Sequence, residues 1–294
     1  MFHSILCVID FTSATERAVE HATEWAQQQK CALELLHVVD PPIYMAPPEL
    51  PELYLTIETS MVTDAEQRMA AQVAAVRRRV PAARGRVICG LPARTILEHI
   101  TALKADLVVV GTHSRTALSR AFLGSVADRV LRTSPVPVLL VPQDGRAVEI
   151  VPKLIVTPTD FSAPARDALT FCLALAREVG AFVEVVHAYE IPAKLDQNLV
   201  RALRTAVSAQ LGTEHPELAG RSDVRVQARE GEPAETILTL TEEAGADLVL
   251  MASTGRGFLS GLLLGGVTDR VARTSVAPVL VLRPPASWVG SNRS

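Results

Sequence analysis

The stretch ADLVVVGTHSRTALSRAFLGSVADRVLRTSPVPVLLVP, residues 105–142, returns almost intact as ADLVLMASTGRGFLSGLLLGGVTDRVARTSVAPVLVLRP at 246–284. This repeat constrains the fold more than any other feature of the chain. Asp106 matches Asp247, Gly124 matches Gly265 and Asp128-Arg129-Val130 matches Asp269-Arg270-Val271, all at an offset of 141. Nearer the start, Asp10-Phe11 matches Asp160-Phe161 and His37 matches His187 at an offset of 150, so the first copy carries nine extra residues between His37 and Gly90. One domain has been duplicated in tandem. Each copy has about 145 residues, enough to bury a core of its own.

Within each copy, apolar strand-like runs alternate with helical periodicity. Ile5–Ile9 reads as the first strand and ends at Asp10, and Ser13 with Glu16 three residues on predicts a capping box. The next helix places Ala18, Val19, Ala22, Trp25 and Ala26 on one face, repeated as Ala168, Leu169, Cys172, Leu175 and Ala176. Leu33–Val39 is a second strand. Pro41 to Tyr54, with five prolines and Tyr44, Met45 and Tyr54, is read as a loop or arm, a candidate lid or intermolecular contact. A helix over 55–80, a strand over 86–89 and a helix over 93–104 follow, the last entered through Gly90-Leu91-Pro92, as Gly231-Glu232-Pro233 enters its counterpart. Leu107–Val110 is apolar throughout, as a strand buried on both faces must be. Val126–Leu131 is helical, and residues 135–142 and 277–284 are β-type runs.

The order βαβαβαβαβ predicts, for each copy, a doubly wound parallel sheet with helices on both faces. The expected boundaries are 1–143 and 152–284, with 144–151 as linker and 285–294 as a flexible tail. In such sheets ligands sit beyond the strand carboxyl ends where strand order reverses. If the first and fourth strands flank that point, Asp10 and Gly111 converge on it.

Composition excludes several classes. A hydrophobic fraction of 48% with 21% charged residues is that of a globular protein, and a net charge of −3 without a basic tail argues against nucleic acid. Arg77-Arg78-Arg79, the compact basic run, is read as a solvated helix end. No apolar run approaches the ~20 residues of a membrane span, and MFHSILCVID lacks the pattern of a signal peptide. Cys7, Cys31, Cys89 and Cys172 have no CxxC spacing and differ in position between the copies, so a reducing cytoplasm is expected.

The signatures of a P-loop, a dinucleotide fingerprint after the first strand, HExxH and GxSxG are all absent. What remains is glycine after the fourth strand and again before the next helix. Glycine permits close backbone approach, and a helix start offers N–H groups to an anion. The pattern is Gly111-x2-Ser114-x9-Gly124-Ser125 in the first copy and Ala252-x2-Gly255-x9-Gly265-Gly266 in the second.

Together with Asp-Phe-Thr/Ser after the first strand, His37-Val38, the Gly-x-Pro turns and the Asp-Arg-Val helices, this resembles the universal stress protein family over nearly the whole chain, twice. Nucleotide-binding members carry G-x2-G-x9-G-[ST]. The resemblance implies an adenine-nucleotide site, with ATP as the ligand, with or without Mg2+. Asp10 and the backbone at Val38 would face adenine and ribose. Gly111, His113, Ser114, Gly124, Ser125 and Val126 would cradle the phosphates. In the second copy Asp160, Ala188, Ala252, Thr254, Gly255, Gly265, Gly266 and Val267 take these places. Ser114 replaces a family glycine, Ala252 another, and Gly266 the hydroxyl residue, so the first copy, with three of its four motif positions standing, is the favoured site by this criterion. The resemblance also implies self-association through the fifth strand, residues 135–142 with 277–284, as an internal pseudo-dimer or between chains.

Structural readings stand beside these. The glycines serve turns and packing, His37 and His187 are hydrogen-bonded scaffold, Asp10 and Asp160 cap helices, and Asp128-Arg129 and Asp269-Arg270 form surface pairs. The functional alternatives are a regulatory nucleotide binder, a non-binding dimerising scaffold, and a slow ATPase; no catalytic or metal residue is assigned.

Overall fold

The computed structural model describes residues 1–40, 51–112, 123–143, 147–191, 197–215, 218–255 and 264–283. Two compact units, Met1–Gln143 and Asp144–Ser294, divide the chain. His113 and Ser114, the tail 285–294 and most of the proline-rich arm lie outside the described residues.

In unit 1 the order is β1 (Ser4–Val8), α1 (Ser13–Gln29), β2 (Ala32–Val39), α2 (Pro51–Arg77), β3 (Arg84–Cys89), α3 (Pro92–Leu103), β4 (Leu107–Gly111), α4 (Ser125–Thr133) and β5 (Val138–Val141). Its strands lie in the order β3-β2-β1-β4-β5, all parallel, with Cys7 opposite Leu35 on one side and Val109 on the other. Strand order therefore reverses between β1 and β4. Unit 2 repeats the plan with β6 (Leu154–Pro158), α5 (Ala163–Val179), β7 (Phe182–Tyr189), α6 (Gln197–Glu214), β8 (Val224–Glu230), α7 (Pro233–Glu243), β9 (Leu248–Ala252), α8 (Gly266–Thr274) and β10 (Val279–Leu282). Its order is β8-β7-β6-β9-β10, again parallel.

The central strands and the apolar helix faces form the cores. Leu107–Val110, Val249 and Leu250 are buried, as are all ten residues of the α1 and α5 faces. Buried acids are paired: Glu34 on β2 meets His99 Nε2 at 2.5 Å and Arg86 at 3.6 Å. Glu184, its counterpart on β7, accepts from Gln227 and faces Arg225 at 3.7 Å. Asp106 accepts from the backbone N–H groups of His3 and Ser4, and Asp247 from those of Glu149, Lys153 and Leu154. The acid before the fourth strand thus pins the beginning of the first.

Several local expectations are corrected. The Ser13–Glu16 capping box does not form: Thr12 holds the N-cap position without a side-chain cap bond, and the Ser13 hydroxyl accepts from Gln143 instead. Unit 2 does cap its helix, Ser162 accepting from Ala165 N. Helix α2 begins at Pro51, inside the stretch read as loop, because proline is well placed in a first helical turn. The fifth strands have four residues each, not eight. Pro135 and Pro137 supply no N–H to a ladder, and the Ser134 hydroxyl closes a turn on Val136.

The arginine run is more than a solvated end, since Arg77 donates to Ala83 O and Arg79 pairs with Glu24 and Gln27 on α1. Asp128 and Asp269 pair not with their neighbours but one turn on, with Arg132 at 3.0 Å and Arg273 at 2.9 Å. On a helix only i+3 and i+4 partners share a face.

His21 is buried on α1; that burial, and then the positive charge of Arg17 one turn earlier, lower its pKa from 6.5 to about 4. The folded protein therefore keeps His21 neutral, while the unfolded chain takes up the proton below about pH 6.5. Stability falls as pH drops through that window and levels off below about 4. Between pH 7.5 and 4.5 this linkage removes roughly 2–3 kcal/mol. His21→Phe, the residue at the matching position 171, should flatten that part of the profile of urea midpoints; an unchanged profile would reject the assignment.

Candidate functional site

In each unit a cavity opens where strand order reverses. In unit 2 it measures about 320 Å³ and is lined by Asp160, Ala188, Ala252, Thr254, Gly255, Gly265, Gly266 and Val267, together with an apolar wall of Pro233, Ile237 and Met251. In unit 1 it measures about 170 Å³, and Asp10, Val38, Gly111, Gly124, Ser125 and Val126 line it beside Pro92 and Ile96. Every described candidate site residue thus borders the cavity of its own unit. His113 and Ser114 lie outside the described residues.

The helix that follows the fourth strand is tied to that strand by its backbone. Gly124 N donates to Thr112 O at 2.9 Å and Gly265 N to Ser253 O at 2.8 Å; the helices then begin with Asp128 N to Gly124 O and Asp269 N to Gly265 O, both 2.8 Å. Among the described residues no side chain caps either helix start. The N–H groups of Ser125, Val126 and Ala127, and of Gly266, Val267 and Thr268, have no intrahelical acceptor, as in the first turn of any α-helix. All six residues line a cavity.

The glycines before these helices are not there for conformation. Gly124 sits at φ −55, ψ 145 and Gly265 at φ −65, ψ 145, which any residue adopts. Packing does not demand Gly265 either: a Cβ there would meet nothing nearer than 3.5 Å, and at Gly266 nothing within 4 Å. Open space beside a helix start, kept open where the fold does not require it, is what a close-lying ligand needs. Gly255 is different, because a Cβ there would collide with the Asp160 carboxylate.

Asp10 and Asp160 are held by an unusual backbone. Phe11 and Phe161, the residues after them, take φ of 58 and 62, a left-handed conformation that is costly for a bulky side chain. Each ring packs on a histidine, Phe11 on His37 at 4.6 Å and Phe161 on His187 at 4.4 Å. The histidines are fixed in turn, His37 Nδ1 lying 2.8 Å from Ile9 O and His187 Nδ1 2.8 Å from Thr159 O. They are hydrogen-bonded scaffold, as the simpler reading had it. Asp10 Oδ1 accepts from Thr12 N and from the Thr12 and Thr15 hydroxyls, and Asp160 Oδ1 from Ser162 N. These carboxylates do serve helix entry, while still lining the cavity.

Sequence reasoning missed the wall contributed by Pro92 with Ile96 and by Pro233 with Ile237. Its signal was present, since both pairs recur at the common offset of 141 behind a Gly-x-Pro turn. It also missed Thr268, whose hydroxyl donates to Ala252 O at 2.9 Å and fixes the first turn of α8 to the end of β9.

Chemically, each cavity joins an apolar wall to a helix start, and so suits a ligand with a flat apolar ring at one end and an anion at the other. No nucleophile–base pair borders it among the described residues, and no His/Cys/Asp/Glu group there could hold a metal. The thiols are poor nucleophiles: burial pushes Cys7 far up and Cys172 to about 12, and burial with the Glu58 carboxyl nearby takes Cys89 to about 11. No helix among the described residues is long and apolar enough to cross a membrane.

A tandem pair of five-stranded parallel α/β domains, each with a cavity at its strand reversal, is the class that fold and site define. The particular family follows from comparison. Residues 1–142 and 152–283 each match the universal stress protein family, and the chain belongs to it. A universal stress protein of Mycolicibacterium smegmatis is 27% identical over 302 residues, covering 96% of this chain and 97% of its own. Among solved structures, a universal stress protein from Archaeoglobus fulgidus superimposes with a TM-score of 0.65 at 20% identity, covering 95% of this chain and 98% of its own. A putative universal stress protein from Pseudomonas aeruginosa gives 0.68 at 20% identity, covering 97% and 94%. At these identities the structural likeness concerns the fold.

Proposed function

We propose that this chain is a cytoplasmic regulatory protein that binds ATP or another adenine nucleotide in at least one unit, and that it acts as a binder and not as a catalyst. The observation that carries the proposal is the uncapped, glycine-flanked start of α8, open to a cavity with an apolar wall. The base would lie against Pro233, Ile237 and Met251, with the ribose toward Asp160. The phosphate would accept from the N–H groups that begin α8. Unit 2 is the favoured binder, because its cavity of about 320 Å³ falls in the usual range of ~300–1,000 Å³ for ligand pockets. The cavity of about 170 Å³ in unit 1 is smaller than that and favours the scaffold reading for unit 1. Four free thiols agree with a reducing compartment.

Calorimetric titration of the full chain with adenosine, AMP and Mg-ATP tests the reading. One site per chain for at least one of these ligands is expected. Silence for all three at millimolar ligand would leave the scaffold in its place.

For self-association we propose the outer strands β5 and β10, apolar sequences (VLLV and VLVL) at one edge of their own sheets. Amide hydrogen exchange should be slow along Val138–Val141 and Val279–Leu282. Fast exchange at both strands would reject that role.

A further inference from the structure

The strained turn behind Asp160 is held from outside by an arginine. Phe161, left-handed at φ 62 and only 5% exposed, follows directly on Asp160, which lines the unit 2 cavity. The turn is pinned on both sides of this residue. The Phe161 N–H donates to the Thr159 hydroxyl at 3.2 Å, and the Phe161 carbonyl accepts from Arg166 Nη1 at 3.1 Å. The same Nη1 donates to Glu214 Oε2 at 3.2 Å, at the end of α6. The Phe161 ring meets two histidines, His187 at 4.4 Å and the buried His215 at 6.0 Å, and His215 Nε2 lies 3.1 Å from the Thr159 hydroxyl.

Unit 1 reaches the same contact by another route. Position 16, which matches 166 at the offset of 150, is a glutamate. Arg68 of α2 serves instead: its Nη2 donates to Phe11 O at 3.1 Å, and its guanidinium carbon stands 4.8 Å from the centre of the Phe11 ring. Two arginines at unmatched positions, on different helices, thus end on the same carbonyl of the same left-handed residue. A bulky residue keeps such a backbone only where its surroundings over-determine it. A guanidinium bond to that carbonyl is charge-assisted, and a relaxed turn would forfeit it.

We infer that Arg166 is a positioning residue of the unit 2 site: by holding the Phe161 carbonyl it keeps Asp160 directed at the sugar of an adenine nucleoside, so that affinity depends on a ribose hydroxyl. This role rests on the nucleotide-binding reading of the cavity, and adds to it the group that orients the carboxylate and a preference for ribose over dideoxyribose. Without Arg166 the turn relaxes toward negative φ, its peptide groups rotate, and the carboxylate leaves the place from which it accepts a sugar hydroxyl. The wall of Pro233, Ile237 and Met251 does not touch this turn through Arg166, so the contacts to the base persist.

The test is calorimetric titration of the full-length chain with adenosine and with dideoxyadenosine, which lacks both ring hydroxyls of the ribose; neither ligand is charged. Wild type should bind adenosine more tightly. Arg166→Met keeps most of the aliphatic stem and removes the donor. It should weaken adenosine by about tenfold, the order of one hydrogen bond to a charged acceptor, while the affinity for dideoxyadenosine should not move. Arg166→Lys, whose ammonium keeps a donor for the Phe161 carbonyl, should stay within about threefold of wild type for adenosine. A loss shared equally by both ligands in Arg166→Met would mark a general loosening of the fold, and an unchanged adenosine affinity would mark a surface ion pair. Either result overturns the positioning role and leaves nucleotide binding intact. Equal binding of the two nucleosides by wild type overturns the ribose preference and the role with it. If wild type binds neither nucleoside nor AMP, the nucleotide reading falls, and the role of Arg166 falls too.

Discussion

Replacing Asp247 by alanine should lower the stability of unit 2 by about 3 kcal/mol, although the residue lies away from the cavity. The residue is only 9% exposed, and its carboxylate accepts three backbone N–H groups, from Glu149 and Lys153 at 3.0 Å each and from Leu154 at 3.1 Å. Those donors hold the beginning of β6 against β9. Hydrogen bonds to an ionised acceptor contribute about 1.5–3 kcal/mol each, and donors left without a partner in a buried place add a further cost. Water reaching the vacated site offsets part of the sum. Asn is not a conservative replacement here. Both carboxylate oxygens accept, whereas an amide presents one acceptor and turns its own N–H2 toward the remaining donors. Asp247→Asn should therefore cost nearly as much as Asp247→Ala. The matching Asp106→Ala in unit 1 removes two such bonds, to His3 and Ser4, and should cost about 2 kcal/mol. Urea midpoints of the three variants provide the check. A loss below about 0.5 kcal/mol for Asp247→Ala, the size of an ordinary surface change, would mean that the clamp does not hold the strand.

The second large effect concerns binding without stability. Gly265→Val places two methyl groups where the ligand anion should approach, at a backbone conformation that valine accepts. The nearest atoms to a Cβ there are Ser253 O at 3.5 Å and Thr254 Cα at 3.6 Å, ordinary van der Waals contacts. The urea midpoint should move by no more than about 1 kcal/mol, while nucleotide affinity should fall by 100-fold or more, through steric exclusion and loss of several N–H contacts at once. Gly124→Val makes the same change in unit 1. With unit 2 as the binder, only the Gly265 variant should lose the calorimetric signal. Loss in the Gly124 variant alone would move the site to unit 1, and retention in both would remove the helix start from the phosphate role.

The features legible in the sequence were those that depend on local pattern. Leu107–Val110 has no polar alternation, so it could only be an interior strand, and its recurrence at Leu248 made the duplication plain. Asp10 and Gly111 could be brought together by topology alone, because a doubly wound sheet reverses its order between the first and fourth strands. The apolar faces of α1 and α5 followed from helical period.

What escaped was decided by competition between near neighbours or by long-range pairing. Thr12, not Ser13, took the N-cap position, because the Asx turn on Asp10 fixed the chain one residue earlier. Prolines at 135 and 137 shortened β5 by denying donors to its ladder. Glu232 and Arg270, 38 positions apart, meet only because α7 and α8 begin side by side, and no local signal in the sequence announces that contact. The left-handed Phe11 and Phe161 were visible only as repeated letters; their strain is a property of the folded turn.

The central claim, that the glycine-flanked start of α8 opens on an adenine-nucleotide site, is tested most directly by what the protein carries when it is made. Full-length chain is purified at low salt, denatured, and the released small molecules are identified by mass spectrometry and quantified against protein. The account predicts one adenine nucleotide per chain, retained in Gly124→Val and missing from Gly265→Val. Nucleotide released in equal amount from wild type and from Gly265→Val would contradict it.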